Sequence, residues 1–236
     1  MMRKNFFIKK LFSQNFLVKI DIIEDSLFFK KEEEMIVEVG SGIGNITRYL
    51  SIIKPKYLFL VEIDIITKLF LNNIYYSKQT KIKIFWDDVL YIDENNFCQH
   101  HYSIISNLPY NISRHLLIKW IHKTKKKYRL FLLLQKEFTE KILFLFKNEV
   151  FMLNIVLRIF FFKSSLSLVS PQSFYPKPKV TSSMIKFIHK INRIKYNHIS
   201  RVLNIFLFLY EKRYKLLLQS CKIDMVKFII LYILLN

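Results

Sequence analysis

All three glycines of this chain lie within five residues, in the stretch VEVGSGIGNIT (Val37–Thr47). An average chain of this length carries about 16. Alanine is absent, proline is scarce, and Lys, Ile, Asn, Leu and Phe fill the space. The depleted residues have GC-rich codons, which points to an AT-biased genome, and turns elsewhere are built from Asn, Lys, Ser and Asp. Where glycine survives such a bias, a physical requirement explains it: a positive φ, or a backbone that something approaches closely. A hydrophobic strand that ends in Gly40-Ser41-Gly42-Ile43-Gly44 and runs into a helix has the form of a nucleotide-like cofactor loop. Gly40 would turn the chain off the strand, and Gly42 and Gly44 would let a ligand approach the backbone. The spacing is not the G-x-G-x-x-G of dinucleotide loops, and no Gly-Lys-Ser/Thr follows, which excludes a phosphate-cradling P-loop. A tight turn with no ligand is the alternative at this point.

The surrounding pattern is α/β. Strands are expected at Met35–Val39, Tyr57–Ile63, Lys81–Phe85, Tyr102–Ser106 and Tyr128–Leu134, with helices near Ile43–Ile53, Ile65–Tyr75 and Ser113–His122. Alternation of this kind predicts a mainly parallel sheet. Two further apolar segments, Phe160–Val169 and Val180–Ile188, flank a proline-bearing loop, and from about Tyr196 the pattern turns helical and basic.

Three more strand ends carry polar groups suited to a ligand. Glu62, in LFLVEID, ends the next strand 22 residues after Gly40 and is placed to accept hydrogen bonds from ribose hydroxyls. Asp87 and Asp88 follow IFW, where a carboxylate suits an adenine amino group. SNLPYNIS ends the fourth: Asn107 offers an acceptor, Pro109 fixes the backbone so that a carbonyl points inward, and Tyr110 supplies a flat face. Such a group can hold a planar aromatic amine.

Together these residues resemble the S-adenosylmethionine-dependent ribosomal RNA adenine N6-dimethyltransferases, most closely the small-subunit (16S) type. Six blocks occur in order between about Lys9 and Ile188: QNFL, VEVGSGIG, LVEID, DDVL, NLPYNIS and FYPKPKV, with LLLQKEFTEKI between the last two. The resemblance implies a Rossmann-like seven-stranded class I methyltransferase domain over residues 1–190. A short helical domain for RNA or ribosome binding follows over 191–236. It further implies that Asn15, Leu17, Gly40, Gly42, Glu62, Asp88 and Asn107 bind S-adenosylmethionine. Asn107, Leu108, Pro109 and Tyr110 would hold the target adenine, with Phe174 on its other face, and no metal takes part. Ser41 stands where the family usually has Pro, and YEKRYKLLLQS matches the family's basic helix only loosely.

Composition is consistent with a soluble, cytoplasmic, monomeric protein. No apolar run of 18 residues is free of charge, the tail FIILYILL is too short to span a bilayer, and the start lacks a secretory pattern. Cys98 and Cys221 have no metal-ligand spacing, and His100, His101 and His115 are read as surface residues. The formal charge of +20 suits an RNA partner, the small-subunit ribosomal RNA or the immature small subunit, although AT bias alone also inflates lysine. HKTKKKYR (His122–Arg129) and RKNFFIKK supply basic clusters. Three alternatives stay open: a large-subunit (23S) adenine methyltransferase conferring macrolide resistance, a non-catalytic RNA-binding assembly factor, and a DNA adenine methyltransferase.

Overall fold

The apolar runs become strands. In chain order the strands are β1 (Phe16–Leu17), β2 (Met35–Val39), β3 (Tyr57–Glu62), β4 (Lys81–Trp86), β5 (Tyr102–Asn107), β6 (Tyr128–Gln135), β7 (Phe161–Val169), β8 (Phe174–Tyr175) and β9 (Ser182–His189). The helices are α1 (Asn45–Ile53), α2 (Lys68–Leu71), α3 (Ser113–His122), α4 (Lys136–Leu143) and α5 (Phe151–Phe160). The structure, a computed structural model, describes residues 15–19, 22, 35–93, 101–107, 112–122, 128–143 and 151–190. The helical domain expected over 191–236 lies outside the described residues, as do Leu108, Pro109, Tyr110, His100, both cysteines and most of the basic run after His122.

Seven strands form one sheet in the order β4-β3-β2-β5-β6-β9-β7, and β1 pairs with β8 in a separate two-stranded sheet. β4, β3, β2, β5 and β6 are parallel, while β9 and β7 complete the far side antiparallel. All five residues of β2 are buried, as a central parallel strand covered on both faces requires. Val37, Val39 and Ile104 pack on one face with Leu116 and Trp120 of α3 and Leu157 of α5. Ile36, Leu60 and Ile105 pack on the other with Leu50 of α1 and Leu71 of α2. Between β2 and β5 the strand order reverses, because β2 leads to β3 on one side and β5 lies on the other. In an open α/β sheet the ligand crevice forms outside the carboxyl ends of the strands at such a reversal.

Strand ends depart from expectation by a residue or two, but two helices change. The helix expected from Ile43 starts at Asn45, because Gly44 precedes it in a left-handed conformation at φ 81°. The one expected over Ile65–Tyr75 is a 3-10 turn, Ile65–Thr67, followed by the single turn α2. Asp64 caps the 3-10 turn through Ile66 N–H at 3.3 Å. After Leu71 the Asn72-Asn73 pair ends the helix, with Asn73 Nδ2 donating to the Leu69 carbonyl at 2.8 Å. Asparagine favours such local bonds over continued helix.

The glycines divide their work. All three have positive φ. A Cβ on Gly44 would stand 2.4 Å from Ile74 Cδ1 and 3.0 Å from Leu71 Cδ2, and one on Gly42 would meet the Phe16 ring at 2.7 Å. The close approach read as a ligand's is made at these two positions by the protein's own side chains. On Gly40 a Cβ would meet, among the described residues, only the Asn107 carbonyl oxygen, at 4.0 Å. Gly44→Ala is therefore expected to destabilise by about 2–4 kcal/mol, the left-handed strain plus overpacking of a filled core. Gly40→Ala should cost only about 1–2 kcal/mol of strain. Urea unfolding of the two variants checks this order.

Candidate active site

The register of the parallel strands puts the polar strand ends side by side. Val39 lies opposite Val61 and Ser106, and Glu62 opposite Trp86, so Gly40, Glu62, Asp87 and Asn107 follow along one edge. Backbone bonds lock that edge: Gly40 N–H donates to the Val61 carbonyl at 2.8 Å, and Asp87 N–H to the Glu62 carbonyl at 3.1 Å. The Ser106 hydroxyl donates to the Val39 carbonyl at 2.6 Å.

Glu62 fastens the glycine loop. One carboxylate oxygen accepts from Gly42 N–H at 2.7 Å and the other from Asp64 N–H at 2.8 Å. The side chain is 5% exposed. Burial pushes its carboxyl above the ordinary value, opposed by the Asp64 and Gly42 amides. Each oxygen keeps a second lone pair, so the carboxylate can still accept from hydroxyls above the loop.

Sequence reasoning passed over Glu38. It occupies the middle of β2, 1% exposed, and its Oε2 accepts from the Thr47 hydroxyl of α1 at 2.7 Å. The signal was there in VEV, an acid inside an otherwise apolar buried strand. Burial, and then the neighbouring Glu62 charge, raise the Glu38 carboxyl to about 8, against the Thr47 hydrogen bonds. Burial first, and then the Glu38 charge once that acid ionises, push the Tyr76 phenol up to about 12, with Arg48 opposing. A neutral acid thus links strand to helix beneath the loop.

QNFL and FYPKPKV, far apart in sequence, meet here. β1 and β8 pair with Phe16 opposite Tyr175 and Leu17 opposite Phe174. Val18 N–H donates to the Ser173 carbonyl at 2.8 Å, extending the contact. Asn107 Nδ2 donates to the Asn15 carbonyl at 2.6 Å. Because a carbonyl can only accept, this contact orients the amide and leaves Asn107 Oδ1 as the outward acceptor. Asn45, at the start of α1, donates to the Leu17 carbonyl at 2.6 Å. Leu17 itself is 1% exposed, and its side chain packs in the core.

Two expected ligand groups have other settings. Asp88 accepts from Leu90 N–H at 2.8 Å through one oxygen, capping the turn after β4. Phe174 is 4% exposed in the cluster containing Leu17, Ile105 and Met184, so its ring is a core ring in this arrangement; Tyr175 beside it is the exposed one. Strand alternation is the reason, since neighbouring side chains point to opposite faces. His101 and His115 are exposed.

S-adenosylmethionine bears ribose hydroxyls, an adenine amine and cationic centres. The set on this edge fits it: open backbone at Gly40, acceptor-only carboxylates at Glu62 and Asp88, and a carbonyl acceptor at Asn107.

Solved structures share this architecture. A dimethyladenosine transferase from Plasmodium falciparum superposes with a TM-score of 0.61 at 27% identity, covering 74% of this chain. The match spans 63% of that longer chain, less than two thirds of it. The 23S rRNA methyltransferase ErmE shares the fold, with a TM-score of 0.57 at 17% identity over 82% of this chain and 76% of its own. The reversed sheet with its glycine loop and acidic strand end is that of a class I methyltransferase. The sequence profile described as "Ribosomal RNA adenine dimethylase" matches residues 4–222. Ribosomal RNA small subunit methyltransferase A of Pelagibacter ubique is 32% identical over 214 residues, 89% of this chain and 80% of that protein. The protein of the same name from a Sulfurihydrogenibium species is 30% identical over 228 residues, 92% and 86% of the two. The chain belongs to the ribosomal RNA adenine dimethylase family.

The Glu38 carboxyl gives a pH signature. Unfolded, it titrates near about 4.3; folded, near about 8. Between these values the folded state holds the extra proton, so the Glu38 contribution is complete below the unfolded value and lost as pH rises through the folded one. Glu38→Gln should therefore gain about 1–3 kcal/mol relative to wild type between pH 5 and pH 8.5. Urea unfolding at both pH values reads this. Parallel pH profiles would contradict it.

Proposed function

We propose that this methyltransferase dimethylates N6 of two adjacent adenosines in the hairpin near the 3′ end of small-subunit (16S) ribosomal RNA. It would act as a cytoplasmic monomer on the immature small subunit, with a role in its assembly. The observation that carries the reading is the Asn107 amide, oriented by the Asn15 carbonyl at 2.6 Å so that its oxygen is left to accept an N–H at the ligand edge. The names of its relatives favour the small subunit.

The chemistry needs alignment more than acid–base catalysis. The N6 lone pair of adenine is delocalised into the ring and is a poor nucleophile. An N6–H bond to Asn107 Oδ1, and a second to the Leu108 or Pro109 carbonyl, would favour a pyramidal nitrogen and direct its lone pair. Tyr110 would stack on the base, with Phe174 closing the other side once its ring is uncovered. S-adenosylmethionine, when bound, supplies a methyl group on a sulfonium, which is an excellent leaving group. Glu62 would hold its ribose, Asp88 its adenine and Gly40 its main body, while Asn15, Leu17 and Gly42 shape the floor. The proton on N6 is lost after attack, so no strong base is needed beside it. Positioning and electrostatics then supply most of the acceleration. The base must leave its stack to enter such a pocket. Basic surface would grip the RNA, with affinity falling steeply in salt.

The test is methyl transfer from labelled S-adenosylmethionine to undermethylated small and large ribosomal subunits. N6,N6-dimethyladenosine in small-subunit RNA is the expected product, with Asn107→Ala slower by about 10²–10³-fold, the usual loss when one such polar partner is removed. Label confined to large-subunit RNA would replace this reading with the macrolide-resistance type. Cofactor binding without label in either subunit would refute the substrate assignment, and absence of cofactor binding would return the non-catalytic reading.

A further inference from the structure

The segment after β8 has an exposed face that the chemistry above does not use. Phe174 is buried, Tyr175 is 66% exposed, Pro178 is buried, and Lys177 and Lys179 are exposed. One ring and two ammonium groups are therefore exposed within five residues of one segment. Pro176 and Pro178 fix φ and remove two N–H donors, which stiffens the stretch and makes it a poor template for a pairing strand. Lys19, exposed just beyond β1, adds a fourth group from the partner strand of this small sheet.

Its charge is unopposed. No Asp or Glu occurs between Glu149 and Glu211, and none of Tyr175, Lys177 and Lys179 has a side-chain hydrogen bond, ion pair or ring contact among the described residues. Its position is also informative. Tyr175 lies opposite Phe16, whose ring covers Gly42, and Asn15, next to Phe16, orients Asn107. The face thus belongs to the same two-stranded sheet that sets the acceptor amide.

We propose that Tyr175, Lys177 and Lys179 form a single-stranded RNA subsite beside the methyl-acceptor pocket. Tyr175 stacks on the base neighbouring the one held at Asn107, and the two lysines hold the phosphates that flank it. Aromatic stacking with cations along the backbone is how sequence-tolerant single-strand sites bind. The assignment of the neighbouring base rests on the functional reading above. A substrate with two adjacent target adenosines would place one on Tyr175 while the other occupies the pocket.

The experiment measures binding of a fluorescent single-stranded oligoribonucleotide containing adjacent adenosines to the full-length protein over a range of salt. Tyr175→Ala should weaken binding about tenfold, within the span of base–aromatic stacking, and Tyr175→Phe should restore it. The Lys177→Gln/Lys179→Gln variant should lower the slope of log affinity against log salt by about 1.4, two phosphate contacts on a single strand. Wild-type affinity and slope in all of these variants would overturn the subsite, as would failure of the wild-type protein to bind the oligonucleotide. The readout does not depend on turnover. Intact oligonucleotide binding by a protein that methylates no small-subunit RNA would overturn the functional reading and leave the subsite standing.

Discussion

One buried carboxylate holds the ligand edge together. Glu62 sits at the end of β3 and accepts from two backbone amides, Gly42 in the glycine loop and Asp64 at the start of the next turn. Hydrogen bonds to a charged acceptor contribute about 1.5–3 kcal/mol each when buried, and an unsatisfied amide costs a similar amount. Elsewhere the loop is held by Gly40 N–H on the Val61 carbonyl and Gly44 N–H on the Ser41 carbonyl. Its glycines give it freedom, and the strand it leaves is already saturated with sheet bonds. Glu62 converts that freedom into one shape, with Gly42 drawn toward β3 and Gly40 left open beside Asn107.

Two further ties make that shape rigid from below and from the side. Beneath, Glu38 reaches from β2 to Thr47 of α1, so the segments entering and leaving the loop are joined. With Glu62 nearby, keeping the Glu38 proton avoids a second buried negative charge. At the side, β1 and β8 bring together residues about 160 apart in the chain, and their small sheet packs Phe16 on Gly42 while the Asn15 carbonyl sets the Asn107 amide. Cofactor loop and acceptor amide are therefore parts of one hydrogen-bonded unit. A change at β1 or β8 reaches both.

The sheet was legible because its strands are apolar runs between polar turns, and β2, β3 and β5 appear almost where the pattern places them. Glycine was legible for a different reason: a composition that eliminates it elsewhere marks the positions where the backbone needs it. What each glycine does was not legible, since the Phe16 ring and the Ile74 methyl come from other parts of the chain. The β1–β8 pair was invisible as strand, being two residues on each side with no periodicity to show. Phe174 was expected to face the target base, and the alternation of β8, which turns its ring inward and Tyr175 outward, is not carried by the sequence. Glu62 was placed at the right strand end, but its hold on the loop is a tertiary fact that spacing does not carry.

The central claim is that Glu62 shapes the cofactor site through backbone amides. Its most direct test is hydrogen exchange at the Gly42 and Asp64 amides in wild type and Glu62→Gln, measured alongside equilibrium affinity for S-adenosylmethionine. The account predicts that both amides are protected in wild type, exchange much faster in the variant, and that affinity falls with the lost protection. Unchanged protection at Gly42 together with a large loss of affinity would contradict it, by reducing Glu62 to a ligand contact alone.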